Sequence, residues 1–185
     1  MPVVIDASAG TVTGISAGGL PDGVIQFADL AVGTGAFKIA NFQEDTSTSE
    51  SGSSAIDTWT DTDLSLTITP TSTSSKVLVS CFSSFMLMIA SEGQAFGRVR
   101  ILRTVGGSDT SVAENHRGYG GEDDNDNAAF GVGIMRIDSP ATTSAITYKV
   151  QMYLNSQGEG DYMTFNWNAY GQTAPPGILQ AWEII

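Results

Sequence analysis

The chain has 185 residues, room for one domain of ordinary size that buries enough surface to need no disulfide or metal staple. Twenty acidic residues against eight basic ones leave a net charge of −12, a field that repels phosphates and anionic lipid heads and argues against nucleic acid or a membrane as partner. Hydrophobic residues make up 41%, which excludes wholesale disorder, while charged residues are only 15% against roughly 25% in typical chains, so Ser, Thr, Asn and Gly carry the polarity.

Residues 1–35 form a compositional unit of their own. They contain no Lys or Arg, and glycine recurs at Gly10, Gly14, Gly18, Gly19, Gly23, Gly33 and Gly35. Their apolar groups are small, so burial cannot offset about 1–2 kcal/mol of backbone entropy per residue. The expectation is an extended segment that orders against a partner surface, followed by a head domain over 36–185. The start of the chain lacks the basic residues and apolar core of a secretory signal, which implies assembly in a cytoplasm.

From Phe37 onward the hydrophobic period is two. Strands are expected at 37–43, at 64–69 (Leu64, Leu66 and Ile68 alternating with Ser65, Thr67 and Thr69), at 99–105, 128–137, 146–154, 162–167 and 178–184. Arg103 interrupts the apolar face of the 99–105 run. Turn-rich stretches separate the runs at 70–75, 91–97, 106–111, 118–127, 138–144, 155–161 and 171–177. The Ser/Thr tracts 46–54 and 71–75 read as loops by composition. No stretch carries a sustained helical period, so an all-β antiparallel sandwich or barrel of about eight strands is predicted.

Residues 77–89 depart from the alternation. One parity holds Val77, Val79, Cys81, Ser83, Phe85, Leu87 and Ile89; the other holds Leu78, Ser80, Phe82, Ser84, Met86 and Met88, so both are largely apolar. A strand wet on one side would not read this way. It is either covered on both sides within one chain or faces a neighbouring subunit, and the methionines favour the subunit. Leu78, Phe82, Met86 and Met88 are therefore the subunit-interface candidates. Cys81 is the single cysteine, which excludes an internal disulfide, and its apolar setting points to a buried, inert thiol.

Chemistry is sparsely represented. His116 is the single histidine, so an imidazole-based hydrolase or a zinc site has one such residue to use. Gly14-Ile15-Ser16-Ala17-Gly18 matches a nucleophile pattern, but the following Gly19-Leu20-Pro21-Asp22-Gly23 cannot start the helix that pattern requires. The acidic run 122–127 offers oxygen ligands for calcium but fails the EF-hand frame, so a solvated turn is expected. Glu114, Glu159 and Asp161 are carboxylates in or beside loops. No catalytic residue, cofactor or metal is assigned. Tyr119, Tyr162, Trp167 and Tyr170, flanked by Asn155, Asn166 and Asn168, are candidates for stacking on a glycan or receptor, against the plainer role of core and cover.

The stretch from Trp59 through Leu64-Ser65-Leu66-Thr67-Ile68-Thr69-Pro70, a Ser/Thr turn and Lys76-Val77-Leu78-Val79 resembles a pattern in tail-fibre and other virion structural proteins of tailed bacteriophages. Arg100-Ile101-Leu102-Arg103, residues 139–150 and the closing Leu179-Gln180-Ala181-Trp182-Glu183-Ile184 are similar to it too. The likeness covers about residues 55–185 and brings no catalytic residues. It implies a jelly-roll-like head that forms homotrimers, located in the virion. On that basis the expected function is a short tail fibre or receptor-binding appendage, docked on other virion proteins through residues 1–35 and able to meet a host surface glycan. A capsid decoration or head-fibre protein is the alternative of the same class; a carbohydrate-binding module is the alternative of another.

Overall fold

The computed structural model describes residues 38–89, 94–120, 126–156, 160–167 and 176–185, with the backbone alone at 115–120 and 126, and the backbone of two short strands near the N-terminus. The chain divides into two units, Met1–Phe37 and Lys38–Ile185. In the first, β1 (Val4–Asp6) pairs antiparallel with β2 (Thr11–Thr13). The Gly14–Gly18 motif lies outside the described residues.

The second unit is all β. Its strands are β3 (Ile39–Ser47), β4 (Ser51–Ser53), β5 (Trp59–Ile68), β6 (Lys76–Ile89), β7 (Ala95–Val105), β8 (Ser108–Gly120), β9 (Asp126–Asp138), β10 (Ile146–Ser156), β11 (Tyr162–Phe165) and β12 (Gly177–Ile184). One sheet runs β9-β6-β12-β3, with β11 and β4 continuing the far end of β6; the other runs β8-β7-β10-β5. Leaving aside the short β4 and β11, eight strands alternate between two layers. In chain order the layers read first-eighth-third-sixth and second-seventh-fourth-fifth. That interleaving is the jelly-roll order, with every named strand pair antiparallel.

The alternation seen in the sequence supplies the core. Leu64, Leu66 and Ile68 of β5 and Ile146, Val150, Met152 and Leu154 of β10 face Val77, Val79, Cys81, Leu87 and Ile89 of β6 across the sandwich. Pro70 and Pro140 follow β5 and β9, where the ladder no longer needs their missing N–H. Gly97 of β7 lets the opposite layer pack against its backbone: a Cβ there would sit 2.9 Å from the Phe85 ring.

Two expectations need correction. Strand β8 falls in a region read as turn and unassigned chain. The turn is only Gly106-Gly107, both at positive φ (56° and 83°), so the chain reverses in two residues and pairs Val105 with Ser108. The Ser/Thr tract 46–54 is not wholly loop either, since β3 runs to Ser47 and Ser51–Ser53 pairs with β11. In both places an edge position lets a strand be polar on both faces. Arg103 is explained by the fold. It points between the layers at the open end of the sandwich, where Nη1 donates to both Asp138 carboxylate oxygens at 2.7 and 2.9 Å, and Tyr148 Oη donates to Asp138 Oδ2 at 2.7 Å.

Candidate functional site

The outward face of the β9-β6-β12-β3 sheet is built by strand register. Ile137, Leu78, Trp182 and Phe42 form one row across all four strands; Gly133, Phe82, Ile178 and Thr46 form another. Between them run Met135, Ser80, Gln180 and Glu44. Four of the seven large apolar side chains exposed among the described residues belong to this face: Phe42 at 45%, Phe82 at 50%, Ile137 at 55% and Met135 at 67%. Phe42 and Trp182 are held together with ring centroids 5.4 Å apart. Opposite Phe82 and Ser84, β9 carries Gly133 and Gly131; the Phe82 ring lies 3.7 Å from where a Cβ of Gly133 would be, and beside Gly131 there is open space.

All four interface candidates lie on this face. Phe82 is exposed, and Leu78, Met86 and Met88 are half-buried. Ser80, of the same parity, is buried. The sequence reading missed the contributions of β9, β12 and β3. Their outward Met135, Ile137, Trp182 and Phe42 were visible as apolar residues, but only strand register places them beside Phe82.

The opposite sheet presents a different outer face. Trp59 and Tyr153 pack with centroids 5.0 Å apart; the Arg100 guanidinium lies 4.1 Å over Trp59, and that of Arg98 lies 5.2 Å over Tyr153. Arg100 Nε donates to Gln151 Oε1 at 2.8 Å, Gln151 Nε2 donates to Asp61, and Lys149 pairs with Asp61 at 2.9 Å. Burial works against the charged form of Asp61, yet the hydrogen bonds from Lys149 and Gln151 hold its carboxyl below the usual range. Asp57 is likewise lowered by hydrogen bonds from Asn155 and Tyr153. The result is a preorganised polar and aromatic surface.

Two of the glycan candidates, Tyr162 and Trp167, lie among the described residues. Tyr162 is half-buried on β11, its hydroxyl lying over Gly52. Trp167 is half-buried, and its carbonyl accepts from Ser84 Oγ at 3.1 Å. Tyr170 and the side chain of Tyr119 lie outside the described residues. The aromatic pair that register does bring together, Trp59 and Tyr153, was not among the candidates. The side chain of His116, Glu159 and most of the acidic run 122–127 also lie outside them. Of the other carboxylates, Glu114 pairs with Arg98 at 3.6 Å, and Asp161 is buried and accepts from Ser156 Oγ. No cluster of three or more His, Cys, Asp or Glu side chains suited to a metal occurs among the described residues.

No family model matches the chain, and no curated protein matches it. Among solved structures, it is similar to a chain of the infectious bursal disease virus Gx strain: 14% identity, TM-score 0.34, covering 78% of this chain and 38% of that one. A mutant VP2 protein of the same virus, from derived T=1 particles, gives 12% identity and TM-score 0.36 over 78% and 36%; a VP2 subviral particle gives 11% and 0.31 over 79% and 40%. The chain thus spans well under half the length of these viral proteins.

Proposed function

We propose that this chain is a non-enzymatic structural subunit of a virus particle, and more narrowly a short tail fibre or receptor-binding appendage of a tailed bacteriophage. The observation that carries the reading is the outward apolar face of the β9-β6-β12-β3 sheet, where Phe42, Phe82, Met135 and Ile137 are exposed. A contiguous apolar patch rimmed by polar residues marks a contact surface, and a chain built for assembly retains one. The jelly-roll order and the resemblance of residues 55–185 to phage virion proteins support the same reading; the fold alone would not carry it. In this reading residues 1–35 dock on other virion proteins, and the head forms the homotrimer that the resemblance implies. Electron microscopy of intact particles with an antibody against the head tests it. Label at the tail tip is expected; label on the shell would make it a capsid decoration protein, and particles without label would overturn the virion reading.

The Trp59–Tyr153 surface favours a second reading, a carbohydrate-binding module. Aromatic faces beside fixed carboxylate and amide groups suit a sugar ring. A glycan array probed with the full chain and with Trp59→Ala separates the two: retention abolished by Trp59→Ala supports the module, and no retention removes it.

A further inference from the structure

The apolar face carries four exposed large side chains, Phe42, Phe82, Met135 and Ile137. Its outward positions on β6, β9, β12 and β3 carry only two charged residues, Lys76 and Glu44, in a chain whose net charge is −12. Two copies meeting through this face bring together only one acidic and one basic position from each, so little of the chain's charge is opposed there. Its size fits a pairing too. Strands β6, β9, β3 and β12 run 14, 13, 9 and 8 residues, which at about 3.3 Å per residue and about 4.8 Å per strand give a face of about 700 Å². Stable interfaces bury roughly 800 Å² per partner.

We infer that this face packs against the same face of a second copy, sheet against sheet about a two-fold axis. A heterologous contact would lay this face on a different surface. The described alternative, the outer face of the β8-β7-β10-β5 sheet, carries Arg98, Arg100, Lys149 and Asp61, whose charges an apolar cover would strand away from water. Self-packing avoids that cost. It also uses the relief of the face: the open floor beside Gly131 receives the projecting Met135 side chain of the partner. The inference deepens the assembly reading above and adds a symmetry to it. A two-fold contact gives dimers, or, joined with a threefold through other surfaces, a hexamer of two trimers.

Light scattering on the full chain, with thiol cross-linking, tests the pairing. Cys81 is fully buried, and burial pushes its thiol up to about 12, so an introduced cysteine is the reactive one. Gln180 lies near the centre of the face, so Gln180→Cys with a short bis-maleimide should yield cross-linked dimer; Thr67→Cys, on the opposite sheet, should not. The mass should correspond to an even number of chains, and Met135→Asp with Ile137→Asp, both at exposed sites, should halve it while the circular dichroism stays unchanged. A monomer, a plain trimer, or cross-linking at Thr67→Cys but not at Gln180→Cys would overturn the inference. A monomer would mean that the face is covered by another part of the chain or by a different partner. None of these outcomes moves the electron-microscopy result, so failure here is distinguishable from failure of the virion reading.

Discussion

Glu183 shows how one side chain ties the closing strand to a turn. Fully buried at the end of β12, its Oε1 accepts from Thr71 N at 2.6 Å, Thr71 Oγ1 at 2.7 Å and Ser75 Oγ at 2.7 Å. Burial alone would raise its pKa, but the hydrogen bonds from Ser75 and Thr71 outweigh it and hold the carboxyl below its ordinary value. The unfolded chain therefore binds this proton more readily than the native one. The stabilisation is present in full above the unfolded value of about 4.3 and is lost as pH falls through the folded one. Glu183→Gln keeps an acceptor but removes the titration. We expect a loss of about 1–3 kcal/mol at neutral pH and a flatter acid limb in a plot of urea midpoint against pH. An acid limb as steep as that of the parent would show that other carboxylates carry the acid sensitivity.

Elements were legible where period and burial agree. Strands β5, β10 and β12 have one face in the core and one outside, so alternation located them; Leu64-Ser65-Leu66-Thr67-Ile68 could hardly be anything else. Strand β8 was not legible, because an edge strand needs no apolar face and Ser108-Asp109-Thr110-Ser111 looks like a loop until Gly106-Gly107 folds it onto β7. Part of the candidate site was legible as well: the double parity of β6 marked its outward face as apolar. Its neighbours were not, since Trp182 pairs with Leu78 across about a hundred residues of chain and no local spacing records that. Arg103 is the instructive exception. In the sequence it only interrupts an apolar series, yet it joins β7, β9 and β10 through Asp138 and Tyr148. Burial and the Asp138 hydrogen bond raise the Tyr148 pKa, so the phenol stays a donor to that carboxylate. Arg103→Met leaves Asp138 partly buried with one donor fewer. The expected cost is about 1–3 kcal/mol in chemical denaturation, and Asp138→Asn should cost less in the Arg103→Met background than alone. Additive losses would show that the two side chains act separately.

At the scale of the whole molecule, the two outer faces of the sandwich differ in chemistry: one is apolar and nearly uncharged, the other polar and aromatic. The net charge of −12 sets the conditions under which the first can act. Each copy repels the next over distances comparable to the Debye length, about 10 Å at 0.1 M salt and about 3 Å at 1 M. The attraction between apolar faces is not screened in this way, and strongly hydrated salts reinforce it. Self-association should therefore tighten as salt is added, with the monomer–oligomer midpoint in sedimentation moving to lower protein concentration. Contacts held by charge respond in the opposite sense, because screening removes what binds them. A salt series thus reads the nature of the interface directly. An association that weakened between low and high salt would place the contact on the Arg98–Arg100–Lys149 side of the sandwich and leave the Phe82–Met135 face without a role in assembly.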